Sequence, residues 1–269
     1  MKRNFLWAVM AAFAWVFTAC GPKDSGTKQL VLYYSQTGAT QTVAQELQKA
    51  LGADIEAIEL EDPYTGTYAE TVDRAGKERQ SGNMPKLKPL KADLSEYDVI
   101  YLGYPIWYGS YANPIVSLVG EYDFEGKKIV TFCTFGSGGL EPAIQDLKKA
   151  LPKAEIAEEG FGIRNARVAS TAKELNRFLV ERGYVAGEVE AIPGYSEMQP
   201  VTEEEKQIFD AACGDYQFPL GTPVLVGKRG TSDGVDYIYT VEGQGGNSTI
   251  YVTVGNEEGA KPEFTRVVR

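Results

Sequence analysis

The chain contains no histidine. That excludes a His-based catalytic triad, histidine acid–base chemistry and most zinc sites. Cysteine is scarce: three in all, Cys20, Cys133 and Cys213, with no CxxC pair and no metal-ligand spacing. Positive charge is in short supply. Lys+Arg number 27 against 37 Asp+Glu, a net charge of −10. This argues against a nucleic-acid partner, since phosphate backbones are held by Lys and Arg. There is no Walker sequence and no GxGxxG fingerprint. What is present is a chain of 269 residues, 43% hydrophobic and 24% charged. That is an ordinary globular composition with enough apolar material for one large or two modest cores.

The N-terminus reads as a targeting segment. Lys2 and Arg3 precede an apolar run, Phe5–Phe17, that is too short to span a bilayer comfortably. Phe17-Thr18-Ala19-Cys20 follows, and small residues before a cysteine resemble a bacterial lipoprotein processing site. The resemblance implies a signal peptide over residues 1–20, lipidation of Cys20 and a polar tether over residues 21–28. The expected location is the bacterial cell envelope, held to a membrane through the lipid alone. Cys133 and Cys213 each sit in apolar stretches and read as buried small hydrophobes.

From Gln29 to about Tyr184, strand and helix patterns alternate. Strands are expected at Leu30–Tyr34, Ile55–Leu60, Asp98–Gly103, Lys128–Cys133 and near Gly160–Ile163. Helices are expected at Thr40–Leu51, Tyr68–Gln80, around Pro114–Val119, at Pro142–Leu151 and at Ser170–Arg182, the last N-capped by Ser170 or Thr171. Such alternation implies a parallel sheet covered on both faces. The pattern then changes. A capping box at Thr202–Glu205 opens a helix with Ile208, Phe209 and Ala212 inward. Alternating runs at Pro223–Gly227, Val235–Val241, Thr249–Val254 and Glu263–Val268 suggest an antiparallel sheet. The division is thus a domain over 29–186 and a smaller α+β domain over 187–269. Residues 187–269 carry 14 acidic against 6 basic side chains, so most of the negative excess belongs to that second part.

Three segments carry chemistry. Val31–Leu47, VLYYSQTGATQTVAQEL, runs from a strand through hydroxyls and one glycine into a helix, without a Lys or Arg. The first N–H groups of a helix are unpaired and its macrodipole is positive there, so such a turn can hold a phosphate without a cationic side chain. After the third strand comes Tyr104-Pro105-Ile106-Trp107-Tyr108-Gly109, read as a loop crowded with aromatics that can stack on a flat ring. After the fourth comes Thr134-Phe135-Gly136-Ser137-Gly138-Gly139, whose backbone can approach ring edges. All three follow strand C-termini, where open parallel sheets bind ligands.

SQTGAT after a strand resembles the phosphate loop of the flavodoxin-like family. YDVIYLGYPIWYGSYANPI and FCTFGSGG resemble its two isoalloxazine loops. The resemblance implies a doubly wound α/β fold, five parallel strands in the order 2-1-3-4-5, and bound FMN. It implies that Ser35, Gln36, Thr37, Gly38, Ala39 and Thr40 hold the phosphate. Pro105, Ile106, Trp107, Tyr108 and Gly109 would form the stacking segment, with Trp107 and Tyr108 flanking the ring. Thr134, Phe135, Gly136, Ser137, Gly138 and Gly139 would meet its edge. The implied function is electron transfer or flavin-dependent reduction, with a redox protein or small-molecule acceptor as partner. The alternative is a binding module with a degenerate flavin site whose C-terminal domain docks a protein. Glu59, Glu61 and Asp62 form the one acidic cluster of this region. The C-terminal part resembles a cystatin-like domain more loosely. Thr231–Val235 stands where inhibitory members carry Gln-x-Val-x-Gly, so protease inhibition is not expected.

Overall fold

A computed structural model describes residues 26–136, 139–189, 191–214, 216 and 218–268. Cys20, the leader and most of the tether lie outside the described residues.

Strands β1 (Gln29–Tyr33), β2 (Asp54–Ala57), β3 (Val99–Trp107), β5 (Lys128–Phe135), β6 (Glu155–Ile156) and β7 (Phe161–Arg164) build the parallel sheet; β4 (Ser110–Tyr111) pairs antiparallel with β3. The order is β2-β1-β3-β5, with β6 and β7 both pairing β5, so two short pieces fill the fifth position. Alternate residues of each central strand enter different cores. Leu30, Leu32, Ile100, Leu102 and Ile129 face one way; Val31, Tyr33, Tyr101, Val130 and Phe132 face the other. Burial on both faces explains why these strands read as continuous apolar runs.

Helices cover both sides. On one lie α2 (Tyr68–Ser81), α3 (Asn113–Glu121) and α4 (Glu141–Ala150), burying Ala75, Ile115, Leu118, Ile144 and Leu147. On the other lie α1 (Ala39–Leu51) and α5 (Thr171–Glu181), burying Val43, Ala44, Leu47, Leu175 and Leu179. Ser170 does stand at the N-cap of α5, but its side chain makes no capping bond. The Thr171 hydroxyl instead donates to the Val168 carbonyl at 2.7 Å, closing the 3₁₀ turn Asn165–Ser170 before it. Cys133 is buried and Cys213 half-buried, both as free thiols. Burial pushes the Cys213 thiol up to about 12, which keeps it protonated and unreactive.

The C-terminal part holds β8 (Gln199–Pro200), α6 (Glu203–Cys213), β9 (Thr222–Thr231), β10 (Gly234–Gly243), β11 (Gly246–Gly255) and β12 (Glu263–Val268). The strands lie in sequence order in one antiparallel sheet. Phe209 of α6 packs on Val226, Tyr239, Ile250, Val252 and Phe264.

The Thr202–Glu205 capping box forms both of its bonds. Burial alone would raise the Glu205 carboxyl. Bonds from the Thr202 N–H (3.0 Å), Lys228 (3.0 Å) and the Thr202 hydroxyl (2.8 Å) outweigh it and hold the carboxyl below its ordinary value of 4.5. A depressed carboxylate stabilises the fold in full above that ordinary value and loses its effect as pH falls through the folded one. Glu205→Gln is therefore expected to cost the C-terminal sheet about 1–2 kcal/mol at neutral pH. It should also flatten the acid limb of its stability, as followed by denaturant melts between pH 7 and pH 3.

Candidate functional site

The first segment leaves β1 through Tyr34 and turns at Gly38, whose φ of 91° is left-handed. An added Cβ there would meet no described atom within 4 Å, so the turn is open. The Gly38 N–H donates to Ser35 Oγ at 3.1 Å, and Thr42 Oγ1 donates back to the Gly38 carbonyl at 3.2 Å. Gly38 is the N-cap of α1 and supplies no side chain. Among the described residues no side chain caps α1, and its first turn carries no acid. Helices α2 and α6 both begin with complete capping boxes. Helices α3, α4 and α5 also lack a side-chain cap, but α3 and α4 carry a proline in the first turn and α4 and α5 an acid. Helix α1, starting at half-buried Ala39 behind a glycine, has neither and is open to an anion. Thr37 is exposed in the middle of the turn.

Two of the expected phosphate residues turn their side chains elsewhere. Gln36 Oε1 accepts from the Tyr34 hydroxyl at 2.5 Å, and its Nε2 donates to the Tyr64 carbonyl at 3.0 Å. Thr40 is buried, its hydroxyl 2.9 Å from that of Thr134. Their side chains stitch the site together, which leaves their backbone for a ligand.

The second segment corrects the expectation of a loop. It is a β-hairpin, and Pro105, Ile106 and Trp107 belong to β3. Ile106 pairs Tyr111, Trp107 pairs Ser110, and Tyr108-Gly109 form the turn with φ of 52° and 77°. Tyr104 is a fully buried strand residue. Trp107 stands edge-on to Tyr34 (6.0 Å between centroids) and Tyr64 (5.2 Å). Tyr108 is 56% exposed, yet its hydroxyl donates to the Val72 carbonyl of α2 at 2.5 Å.

The third segment begins inside β5. Thr134 and Phe135 are buried strand residues rather than loop residues. Gly136 is exposed and Gly139 half-buried. Ser137 and Gly138 lie outside the described residues. The three segments adjoin one another. The Thr40–Thr134 hydroxyl bond joins the first to the third, the Tyr34–Trp107 contact joins the first to the second, and the Pro105–Thr134 strand pairing joins the second to the third.

The sequence did not disclose the support behind this hairpin. Glu78 of α2 accepts from Arg74 Nε at 2.9 Å, from Asn113 Nδ2 at 2.8 Å and from the Tyr64 hydroxyl. Arg79 donates to Asn113 Oδ1 and to the Tyr111 carbonyl, both at 2.7 Å. The Arg74 guanidinium lies 4.3 Å from the Tyr64 ring centroid. The i,i+4 spacing of Arg74 and Glu78 was the one available signal, and it fits a solvated helix equally well. Two of the three acids in the cluster are paired, Glu59 with Lys88 at 2.9 Å and Asp62 with Arg74 at 3.2 Å.

A family model described as flavodoxin matches residues 28–179, more than half of the chain, and the chain belongs to that family. Among solved structures, a candidate flavoprotein from Bacteroides uniformis ATCC 8492 is 27% identical, with a TM-score of 0.50 over 56% of this chain and 98% of its own. Another from Bacteroides eggerthii DSM 20697 is 27% identical, covering 59% and 99%, with a TM-score of 0.49. A flavoprotein from Lactobacillus acidophilus NCFM, solved in complex with FMN, is 21% identical over 54% and 99%, with a TM-score of 0.46. No curated protein matches the chain.

Proposed function

We propose that this flavodoxin-family chain binds FMN across the three segments and acts in electron transfer or flavin-dependent reduction. The observation that carries the reading is the uncapped, acid-free start of α1 beside Trp107 and Thr134. An open turn at Gly38 and unpaired first-turn N–H groups suit the phosphate that FMN carries. The backbone of Ser35–Thr40 would hold the phosphate. Trp107, kept in place by Tyr34 and Tyr64, would flank the ring, while Tyr108 braces the hairpin against α2. The Thr134–Gly139 segment would meet the ring edge. Flavin held there supplies electron or hydride transfer. The residues of this chain bind it, orient it and keep water from one face.

The sequence also supports an envelope lipoprotein anchored at Cys20, with boundaries at 29–186 and 187–269. The strand–helix–four-strand order of the C-terminal part agrees with a cystatin-like module. Its β9–β10 turn, Thr231–Val235, lacks the inhibitory wedge, which favours an accessory role.

Trp7 and Trp15 lie in the leader, so residues 21–269 retain Trp107 as sole tryptophan. Titrating that apoprotein with FMN should quench its tryptophan emission saturably. Riboflavin, lacking the phosphate, should bind about tenfold or more weakly. A folded protein whose emission FMN leaves untouched sinks the flavin reading and favours the binding-module alternative.

A further inference from the structure

Arg164 ends β7, paired with Phe135 at the end of β5. Its guanidinium reaches two ways. Nε donates to the Gly136 carbonyl at 3.1 Å, in the third segment of the candidate site. Nη1 donates to the Phe264 carbonyl of β12 at 2.8 Å, a hundred residues further along the chain. The guanidinium also lies 4.3 Å from the centroid of the Phe264 ring and 6.0 Å from that of Tyr216. Phe264 is 3% exposed and belongs to the core of the C-terminal sheet. Nearby, Arg167 pairs with Glu174 at 2.9 Å and with Glu263 of β12 at 3.3 Å, and Lys173 of α5 pairs with Asp233. The C-terminal sheet is therefore docked beside the third segment. Arg164 bonds to both at once.

A planar, permanently charged fork can satisfy two carbonyls together, and both bonds are charge-assisted. If β12 withdraws, half of the fork loses its acceptor and its aromatic cover. The Gly136 carbonyl then loses a fixed donor. We propose that Arg164 is a positioning residue which makes docking of the C-terminal sheet and placement of the Gly136 carbonyl a single equilibrium. The C-terminal part is then a component of the cofactor site, not a passive appendage. This rests on the flavin reading. Coupling of this kind is reciprocal: docking favours FMN, and FMN favours docking by the same factor.

Two measurements on the full chain test it. FMN dissociation constants are read from flavin fluorescence for wild type, Arg164→Gln and Arg164→Lys. Arg164→Gln should bind about tenfold more weakly, and Arg164→Lys should fall between because it keeps the charge but not the fork. Hydrogen exchange of the β12 amides, Glu263–Val268, is followed with and without FMN. FMN should slow exchange there in wild type and not in Arg164→Gln. A merely structural arginine would leave β12 exchange indifferent to FMN, and the wild-type exchange result needs no variant to fold. Unchanged affinity in Arg164→Gln, or unchanged wild-type exchange, overturns the proposal while the flavin reading stands. A wild-type protein that binds no FMN overturns both.

Discussion

Gly103→Ala is expected to destabilise the parallel-sheet part by about 3 kcal/mol or more, enough to lower its melting midpoint by roughly 6–12 °C. Gly103 sits in the central strand β3, between Tyr33 of β1 and Phe132 of β5. An added Cβ would stand 2.0, 2.3 and 2.7 Å from three atoms of the Phe132 ring. Phe132 is 1% exposed and packed among Tyr33, Tyr101 and Phe161, so the ring cannot swing away without displacing others. The Gly103 backbone is not left-handed, so the cost is purely steric. Gly120→Ala is the matched control. It lies within α3 with no described atom within 4 Å of an added Cβ, and should stabilise by about 0.5–1 kcal/mol. Thermal melts of both variants check the pair. A Gly103→Ala protein that melts with wild type would mean that β3 and β5 do not meet at this register.

Thr37→Asp should move stability and cofactor binding in opposite directions. Thr37 is exposed, next to the N-cap of a helix with no acid in its first turn. A carboxylate placed there favours the positive end of α1 and should raise apoprotein stability by about 0.5 kcal/mol. It would also compete for the phosphate position. Two negative charges about 4–5 Å apart at an effective dielectric near 20 repel by about 3–4 kcal/mol. FMN binding should therefore weaken at least about a hundredfold, while riboflavin binding stays within about twofold. Parallel titrations with the two flavins check this. Equal losses for both would move the phosphate away from the α1 turn.

The units most legible in the sequence were those whose burial is one-dimensional. Leu30–Tyr34 and Lys128–Cys133 read as strands, and the structure has them as β1 (Gln29–Tyr33) and β5 (Lys128–Phe135), because both faces are covered, which forces an unbroken apolar run. The capping box at Thr202–Glu205 is a local code, and it formed as written. The aromatic hairpin was not legible. Its turn is Tyr108-Gly109, and a tyrosine in the left-handed region is not among the residues that advertise such a turn. Tyr108 is held there by a bond to Val72, 36 residues earlier, which no local pattern carries.

The same division runs through the candidate site. Sequence alone determined that a hydroxyl-and-glycine turn follows a buried strand and enters a helix, and that two further segments lie at the C-terminal ends of later strands. Those facts rest on spacing and on residues close in the chain. Sequence alone read both segments as loops, where the structure continues β3 to Trp107 and β5 to Phe135 and sets the two strands side by side. Tertiary structure decided what each side chain does. Gln36 turns to Tyr64, Thr40 meets Thr134 and Arg164 reaches Phe264, across separations of 28, 94 and 100 residues. The first two arise because the sheet order brings strand ends side by side, and the third because the C-terminal sheet lies against the parallel one. Hydrogen bonds act over about 3 Å of space and take no account of distance along the chain.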